Sequence, residues 1–502
     1  MFSTKSPIVF FQTVVSSISG YISLFFILRF IGPFYWGLLS YAMAFGGLFS
    51  FLLDMGFNTT YLKFISGDKD KKADIKTYAV IKFALNALYL AIIIGSLLIW
   101  VYVLRRGFES PIEFWIIIAI LPYFSFQSFI PVLNSYFRAT FQAYKLSIPR
   151  LIESIFRNSI FVFLGILFYL DIINRMSSGI VVVMALIYDI SYFMYFIMLL
   201  YSGRPWHFRS SGKSDYAKYI KFALPLSLST TLGIINLSVD KVIVQFFWGA
   251  IATGALYADQ KIVSIVGAIT LPIGIFLLPL LSGSSKGSVA LDRDVIEYER
   301  ILSFLITPFV LAFVLLSPFI LNIFNAEYLE YWPSFSVIAV GTYIGAIMMP
   351  FNSSITAMGK QWMIAKISLI SIVLNIILNI ILIPKEILGV RLGGYGVLGA
   401  TISYTFSQLV AYIMYKELHR NLSHSRTGSN LTKHIFIAFP TAFLFLIAAL
   451  FIKPYPFLYL APLILGGFLI YLGMSILTKE ITWIQVMTIL KNVIPRRGGE
   501  LK

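Results

Sequence analysis

The sequence predicts an all-α integral membrane protein: about fourteen transmembrane helices in two pseudo-symmetric six-helix lobes, with two extra helices. Three observations carry that expectation. Only 12% of the 502 residues are charged and 59% are hydrophobic, whereas a soluble domain carries roughly 25% charged residues, so a water-facing surface cannot be assembled. Continuous apolar runs recur along the whole chain at a mean hydropathy of +0.86, each near the roughly 20 residues that cross about 30 Å of hydrocarbon. The connections between them alternate between rich and poor in Lys and Arg. A β-barrel, the other fold that satisfies its backbone in lipid, would need alternating segments of about ten residues, which the sequence lacks.

Read in order, the spans cover approximately residues 8–32, 36–60, 77–104, 112–136, 151–171, 178–201, 219–246, 251–282, 301–324, 333–357, 363–384, 395–416, 434–452 and 457–477. The first follows Met1–Pro7 without a small-residue cleavage pattern, so it is expected to serve as its own insertion signal. Connections are short; even Ser202–Lys218 and Glu417–Lys433 are too small for a soluble domain. The rich connections carry Lys63, Lys69, Lys71, Lys72 and Lys76, then Arg138, Lys145 and Arg150, then Arg204, Arg209, Lys213 and Lys218. The pattern continues through Lys286, Arg293 and Arg300, then Lys360 and Lys366, then Lys416, Arg420, Arg426 and Lys433. The poor set holds Arg105, Arg106, Arg175, Lys385, Arg391 and Lys453. The positive-inside rule then places both termini and every rich loop in the cytoplasm. It also assigns the net charge of +17 to membrane topology, and nucleic acid is not an expected partner.

The basic loop at 202–218 divides the chain into six spans and eight. The expected organisation is an N-terminal lobe over 1–201, a C-terminal lobe over 219–416, two further helices over 434–477 and a cytoplasmic tail over 478–502. Gly32-Pro-Phe-Tyr-Trp-Gly37 after the first span and Gly249-Ala-Ile-Ala-Thr-Gly254 after the seventh share one Gly-to-Gly spacing. Parallel halves of this kind are a common transporter plan.

Several chemistries are excluded. Without cysteine there is no disulfide or thiol catalysis, and His207, His419, His424 and His434 sit in or beside polar loops without metal spacing. No GxxxxGK[ST] phosphate loop, HExxH pair, arginine-rich voltage sensor or selectivity filter is present. No enzyme, cofactor or metal is therefore expected.

Ionisable residues within spans are costly and by default mark a pathway or a buried pair. Lys82, Glu153, Arg157 and Lys221 lie close enough to cytoplasmic span ends to snorkel, leaving Arg29, Asp54, Asp189, Asp240, Lys241, Asp259 and Lys261. At ~1.5 Å per residue, Lys241 lies roughly 10 Å and Lys261 roughly 15 Å below the outer ends of two neighbouring spans. Two arrangements satisfy these charges. Both ammonium groups face a shared cavity, or Lys241 pairs with Asp259 and Lys261 with Asp240 as structural bridges. Asp259 and Lys261, two apart on a helix with a step of ~100°, cannot both face one cavity. Asp54 is expected to cap or bridge, and Asn86, Asn236, Asn375 and Asn379 to bond between helices.

Several segments carry a resemblance. Leu28-Arg29-Phe-Ile-Gly-Pro-Phe-Tyr-Trp-Gly37 and Leu53-Asp54-Met-Gly-Phe-Asn-Thr-Thr-Tyr-Leu62 resemble the opening of Wzx-type polysaccharide-biosynthesis flippases. Phe222-Ala-Leu-Pro-Leu226, Ser238-Val-Asp240-Lys241-Val-Ile243 and Leu374-Asn-Ile-Ile-Leu-Asn379-Ile-Ile-Leu-Ile-Pro384 are similar to that family's second half, as are Gly394-Tyr-Gly396, Gly399-Ala400-Thr401 and the closing Leu477-Thr-Lys-Glu480. The family lies in the multidrug/oligosaccharidyl-lipid/polysaccharide (MOP) exporter superfamily. The resemblance implies two lobes around a cavity, alternating access, and a polyprenyl-linked oligosaccharide as cargo in the cell membrane, with membrane lipids and other glycan-assembly proteins as partners. It makes Arg29 and Lys241 candidate cargo-binding residues, to which depth adds Lys261. Asp189, Asp240, Asp259 and Asp54 are the candidates for pairing or for a coupling Na⁺ or H⁺. A drug or small-molecule exporter of the same superfamily and a non-transporting scaffold are the alternatives.

Overall fold

The computed structural model describes residues 6–67, 71–103, 110–140, 142, 144–172, 179–203, 215–268, 270, 281, 289–423, 431–452 and 457–480. Arg105, Arg106, Arg175, Arg204, Arg209, Lys213, Lys286, Arg426, Lys453 and most of the basic tail lie outside the described residues, as do Pro272, Pro279, His207 and His424. The chain runs through α1 (Ser6–Phe26), α2 (Pro33–Leu48), α3 (Phe57–Gly67), α4 (Lys71–Leu98), α5 (Ile112–Ala139), α6 (Tyr144–Tyr169), α7 (Gly179–Gly203), α8 (Tyr216–Asn236) and α9 (Val239–Val263). It continues with α10 (Val289–Leu315), α11 (Ser317–Phe324), α12 (Trp332–Ile347), α13 (Met349–Ala357), α14 (Gln361–Leu382), α15 (Gly396–Ser423), α16 (Leu431–Phe451) and α17 (Leu460–Leu477). Glu386–Ile387 and Val390–Arg391 form a small antiparallel hairpin closed by Leu388 and Gly389, both at positive φ.

The chain is a multi-pass α-helical membrane protein. Among the described residues eleven helices are long and apolar enough to cross a membrane, or twelve if the bent pair Pro33–Leu48 and Ser50–Ser66 is one span. The expected count of about fourteen is not confirmed among the described residues. The stretch expected to hold the seventh span and the start of the eighth counts as one run, Thr231–Ala268, broken at Gly249 where φ is 79°. The expected thirteenth is the shorter apolar helix Phe436–Phe451. Pro122 and Pro131 lie inside α5 and Pro308 inside α10. Pro350 instead opens α13, where a missing N–H costs nothing.

Contacts group the chain into two compact units. The first comprises Met1–Ile262, Phe324–Ser334 and Ala365–Ser407. In it α1 packs along α6, α5 along α7, and α2 and α4 against α5. Phe57, Tyr61 and Ile65 of α3, Tyr78 and Ile81 of α4, and Tyr219 of α8 form a buried cluster, with the Tyr61 and Tyr78 rings stacked at 4.0 Å. The second comprises Val263–Ile323, Phe335–Ile364 and Gln408–Lys502, where α10 packs on α13, α16 and α17 and Phe304, Ile437, Ala438 and Tyr471 are buried together.

The two glycine turns of the sequence repeat meet inside the first unit. Gly32 and Gly249 adopt one unusual conformation, φ 87° ψ 172° and φ 79° ψ −172°, which residues with a Cβ rarely adopt. A Cβ on Gly37 would fall 1.8 Å from the Ala250 carbonyl oxygen, and one on Gly254 would fall 2.1 Å from that of Pro33. The contact is reciprocal: each turn's second glycine admits the residue just after the other turn's first.

Candidate cation site on α9

Charge inside an apolar helix needs a partner or water, and α9 carries four charges: Asp240, Lys241, Asp259 and Lys261. Tyr257 gathers the two lysines. Lys241 Nζ lies 5.6 Å from its ring centroid and Lys261 Nζ 5.1 Å, within cation–π range. The ring is fixed by stacking on buried Trp36 at 5.2 Å and 19°. Lys241 is buried, whereas the Lys261 side chain is exposed.

The two expected cross-pairs resolve differently. Lys241 meets its own neighbour, with Nζ 3.6 Å from Asp240 Oδ1, and donates to the Leu237 carbonyl at 2.5 Å. Asp240 Oδ2 accepts from Gln260 Nε2 at 2.8 Å. Asp259 does not pair with Lys241. Its side chain is fully buried on another face, where Oδ2 lies 2.8 Å from Ser334 Oγ and Oδ1 has no hydrogen-bond partner. This separation of Asp259 from the lysine face follows from the helix step.

Asp189 and Asp54 serve the backbone. Asp189 Oδ1 accepts from Tyr123 N–H at 2.8 Å, beside the kink-permitting Pro122, and so pins α7 to α5. Asp54 Oδ1 accepts from Asn58 N–H at 2.9 Å, capping α3. Arg29 projects, exposed, from a π-helical turn at Ile27–Ile31.

Other intramembrane charges turn inward where snorkelling was expected. Lys82 is 1% exposed and donates to the Leu53 carbonyl at 2.5 Å. Glu153, fully buried, holds Arg157 Nε at 2.7 Å and Arg150 Nη1 at 3.1 Å, and Arg157 lies 5.3 Å over Tyr188. Each finds a partner, so none needs to reach water. The histidines read as loop residues are also buried: His419 meets Asp292 at 3.1 Å and His434 meets Glu480 at 3.2 Å. Among the described residues no group of His, Asp and Glu could hold a metal.

α2 and α9 thus cross at reciprocal glycines, with a lysine pair set on one ring. Residues 6–285, more than half of the chain, match the family model described as "Polysaccharide biosynthesis protein", and the chain belongs to that family. It is 26% identical over 210 residues to the capsular polysaccharide biosynthesis protein CapF of Staphylococcus aureus, a match covering 40% of this chain and 49% of CapF, about half the length of that relative. Its fold matches the lipid II flippase MurJ in an inward closed conformation at TM-score 0.67 and 15% identity, over 95% of this chain and 98% of MurJ. A multidrug-resistance MATE transporter of the MOP superfamily matches at TM-score 0.56 and 14% identity, over 82% and 96% of the two chains. The fold is thus the one shared by this flippase and this MATE transporter.

Proposed function

We propose that this protein is a flippase that carries a polyprenyl-linked oligosaccharide across the cell membrane by alternating access, for assembly of an envelope glycan. The carrying observation is the gathering of Lys241 and Lys261 at the Tyr257 ring, with Lys261 exposed within an apolar span. An anionic diphosphate offers a compensating role for that charge, and Arg29 supplies a further cation to the cargo's path. The spans keep the prenyl tail in lipid while the polar head travels past these cations.

In this reading both termini and the basic loops face the cytoplasm, 1–201 and 219–416 are the rocking lobes, and 434–477 adds two outer helices. Contacts in the present conformation group the helices differently, so the moving bodies are to be found by comparing states. Asp189, Asp240, Asp259 and Asp54 stay the candidates for pairing or for a coupling Na⁺ or H⁺, and of these Asp259 has an oxygen, Oδ1, without a hydrogen bond.

The test is flipping of polyprenyl-diphosphate oligosaccharide in liposomes, with mass spectrometry of co-purified lipid. Lys241→Ala with Lys261→Ala should fold nearly normally yet lose transport, and Lys→Arg should retain part of it because charge survives while geometry changes. Wild-type flipping by a stable double variant removes these lysines from the mechanism. Co-purification of no prenyl lipid, with no flipping by the wild type, sinks the cargo assignment.

A further inference from the structure

A second cationic region lies at the first turns of α1, and no residue of α9 lines it. Between the first turns of α1, the C-terminal half of α5, the start of α6 and the later part of α7 is a cavity of about 500 Å³. Its lining includes Arg138, Arg150, Asn134, Gln12, Tyr192 and Tyr195, and no carboxylate. All of these residues belong to the first compact unit.

Arg150 is held in place for a ligand. Its Nη1 donates to the Tyr192 hydroxyl at 3.2 Å and lies 3.1 Å from Glu153 Oε2. Its guanidinium centre sits 5.4 Å from the Tyr192 ring and 5.6 Å from that of Tyr195. An arginine has five N–H donors in a rigid fork, so the Nη2 and Nε hydrogens remain for an acceptor. The carboxylate behind it does not neutralise the region, because Glu153 also binds Arg157. Arg138, Arg150 and Arg157 set against Glu153 leave an excess of two positive charges. Arg138 stands exposed at the C-terminal end of α5, where a helix terminus favours a cation. A planar fork, a second guanidinium and neutral amide and hydroxyl groups match the oxygens of a phosphate.

Lipid offers a route to the cavity. Val9, which lines it, is 42% exposed. An acyl or prenyl chain reaching the rim at Val9 would bring its headgroup to the arginines.

We propose that this cavity binds a phosphate-bearing headgroup through Arg138 and Arg150. The binding chemistry stands on the cavity alone; its place as the cytoplasmic loading step for cargo rests on the flippase reading. Its lining residues are distinct from those of α9, so the two sets can be substituted separately.

The experiment uses the full-length protein in phosphatidylcholine nanodiscs. Phosphatidic acid supplies a lipid-anchored phosphate, diacylglycerol is its phosphate-free counterpart, and inorganic pyrophosphate is the soluble probe. Native mass spectrometry reads lipid retention and calorimetry reads pyrophosphate binding. Wild type should retain phosphatidic acid at least tenfold over diacylglycerol, and Arg138→Gln with Arg150→Gln should remove that preference. If Arg150→Gln weakens folding through Glu153, Arg138→Gln alone should still lower retention at least threefold, while the exposed control Lys360→Gln should not. Preference for phosphatidic acid over pyrophosphate identifies a lipid-anchored ligand. Pyrophosphate binding lost in the double variant, without lipid preference, identifies a soluble one. Equal binding of all probes by wild type and double variant overturns the site. None of these readouts needs transport, so a failed flipping assay leaves this result standing.

Discussion

The two ends of the first helical unit are built in opposite ways. At one end, α2 and α9 touch backbone to backbone, and the space a methyl would need at Gly37 or Gly254 is already filled by a carbonyl. At the other, α1, α5, α6 and α7 splay around a 500 Å³ cavity lined by arginine, amide and tyrosine. One end tolerates no added atom; the other keeps room and unspent donors. Close packing transmits force and an open polar cavity admits a ligand, so the pairing suits a molecule that pivots at one level and loads at another. The difference also predicts how each end fails: by sterics at the glycines and by unpaired charge at the arginines.

The largest expected effect tests the closed end. Gly37→Val places a branched side chain against the Ala250 carbonyl, and overpacking against backbone should exceed the usual ~1–3 kcal/mol. Yield and thermal stability in detergent should collapse. Gly95→Ala on α4, with nothing within 4 Å of its added Cβ, should be neutral or gain up to about 1 kcal/mol from helix propensity. Equal tolerance at both positions would break the comparison.

The next effect tests the charged end. Glu153→Gln leaves Arg150 and Arg157 without their shared carboxylate. Breaking a buried pair costs about 3–5 kcal/mol, and the partial exposure of Arg150, 37%, puts the expectation at or below the lower end. The check is thermal unfolding with and without added phosphate, which should restore part of the loss if an anion enters the cavity. A smaller effect is expected at the turns themselves. Gly249→Ala forces a Cβ into an extended positive-φ conformation that is essentially glycine-only, costing about 1–3 kcal/mol, and Gly32→Ala should cost about the same. Unequal losses in differential scanning would show that the repeat is similar in shape alone.

Much of the fold was legible, for a physical reason. Lipid demands long apolar helices, and hydropathy reads them directly. The glycine repeat was legible as spacing, although only coordinates reveal that Gly37 and Gly254 admit each other's partners. Depth along a helix follows from counting residues, which found Lys241 and Lys261. Azimuth follows too along one helix, as for Asp259 and Lys261, but the partner a long side chain selects does not: one of the two arrangements sets Lys241 against Asp259, and it meets Asp240. The Arg150–Glu153–Arg157 cluster had a signal in its three- and four-residue spacing, overlooked because nearness to a span end suggested water. His419 and His434 read as lying in or beside polar loops because hydropathy falls there, yet α15 runs to Ser423 and α16 starts at Leu431. Helices outlast their apolar runs, and the polar turns beyond can still be buried by packing.

The smallest effect concerns a charged knot in the second unit, where α17 ends. Glu480 Oε2 lies 2.5 Å from Lys433 Nζ, and Oε1 lies 3.2 Å from His434 Nε2 and 3.5 Å from Arg300 Nε. Burial alone would raise its pKa, but the hydrogen bonds from Lys433 and His434 outweigh it and hold the carboxyl below its usual range. A carboxylate depressed on folding contributes stability above its unfolded pKa, about 4.3, and loses it as pH falls through the folded value. Thermal unfolding of wild type and Glu480→Gln should therefore differ by a constant amount from about pH 7 down to about pH 5. The curves should converge below the ordinary carboxylate range, as the wild-type carboxyl takes up its proton. The effect should be modest, because Lys433 and Arg300 are each 44% exposed and water screens their charge. A difference that grows on acidification would reverse the sign of the linkage and show that Glu480 is held protonated, with the knot made by its neighbours instead.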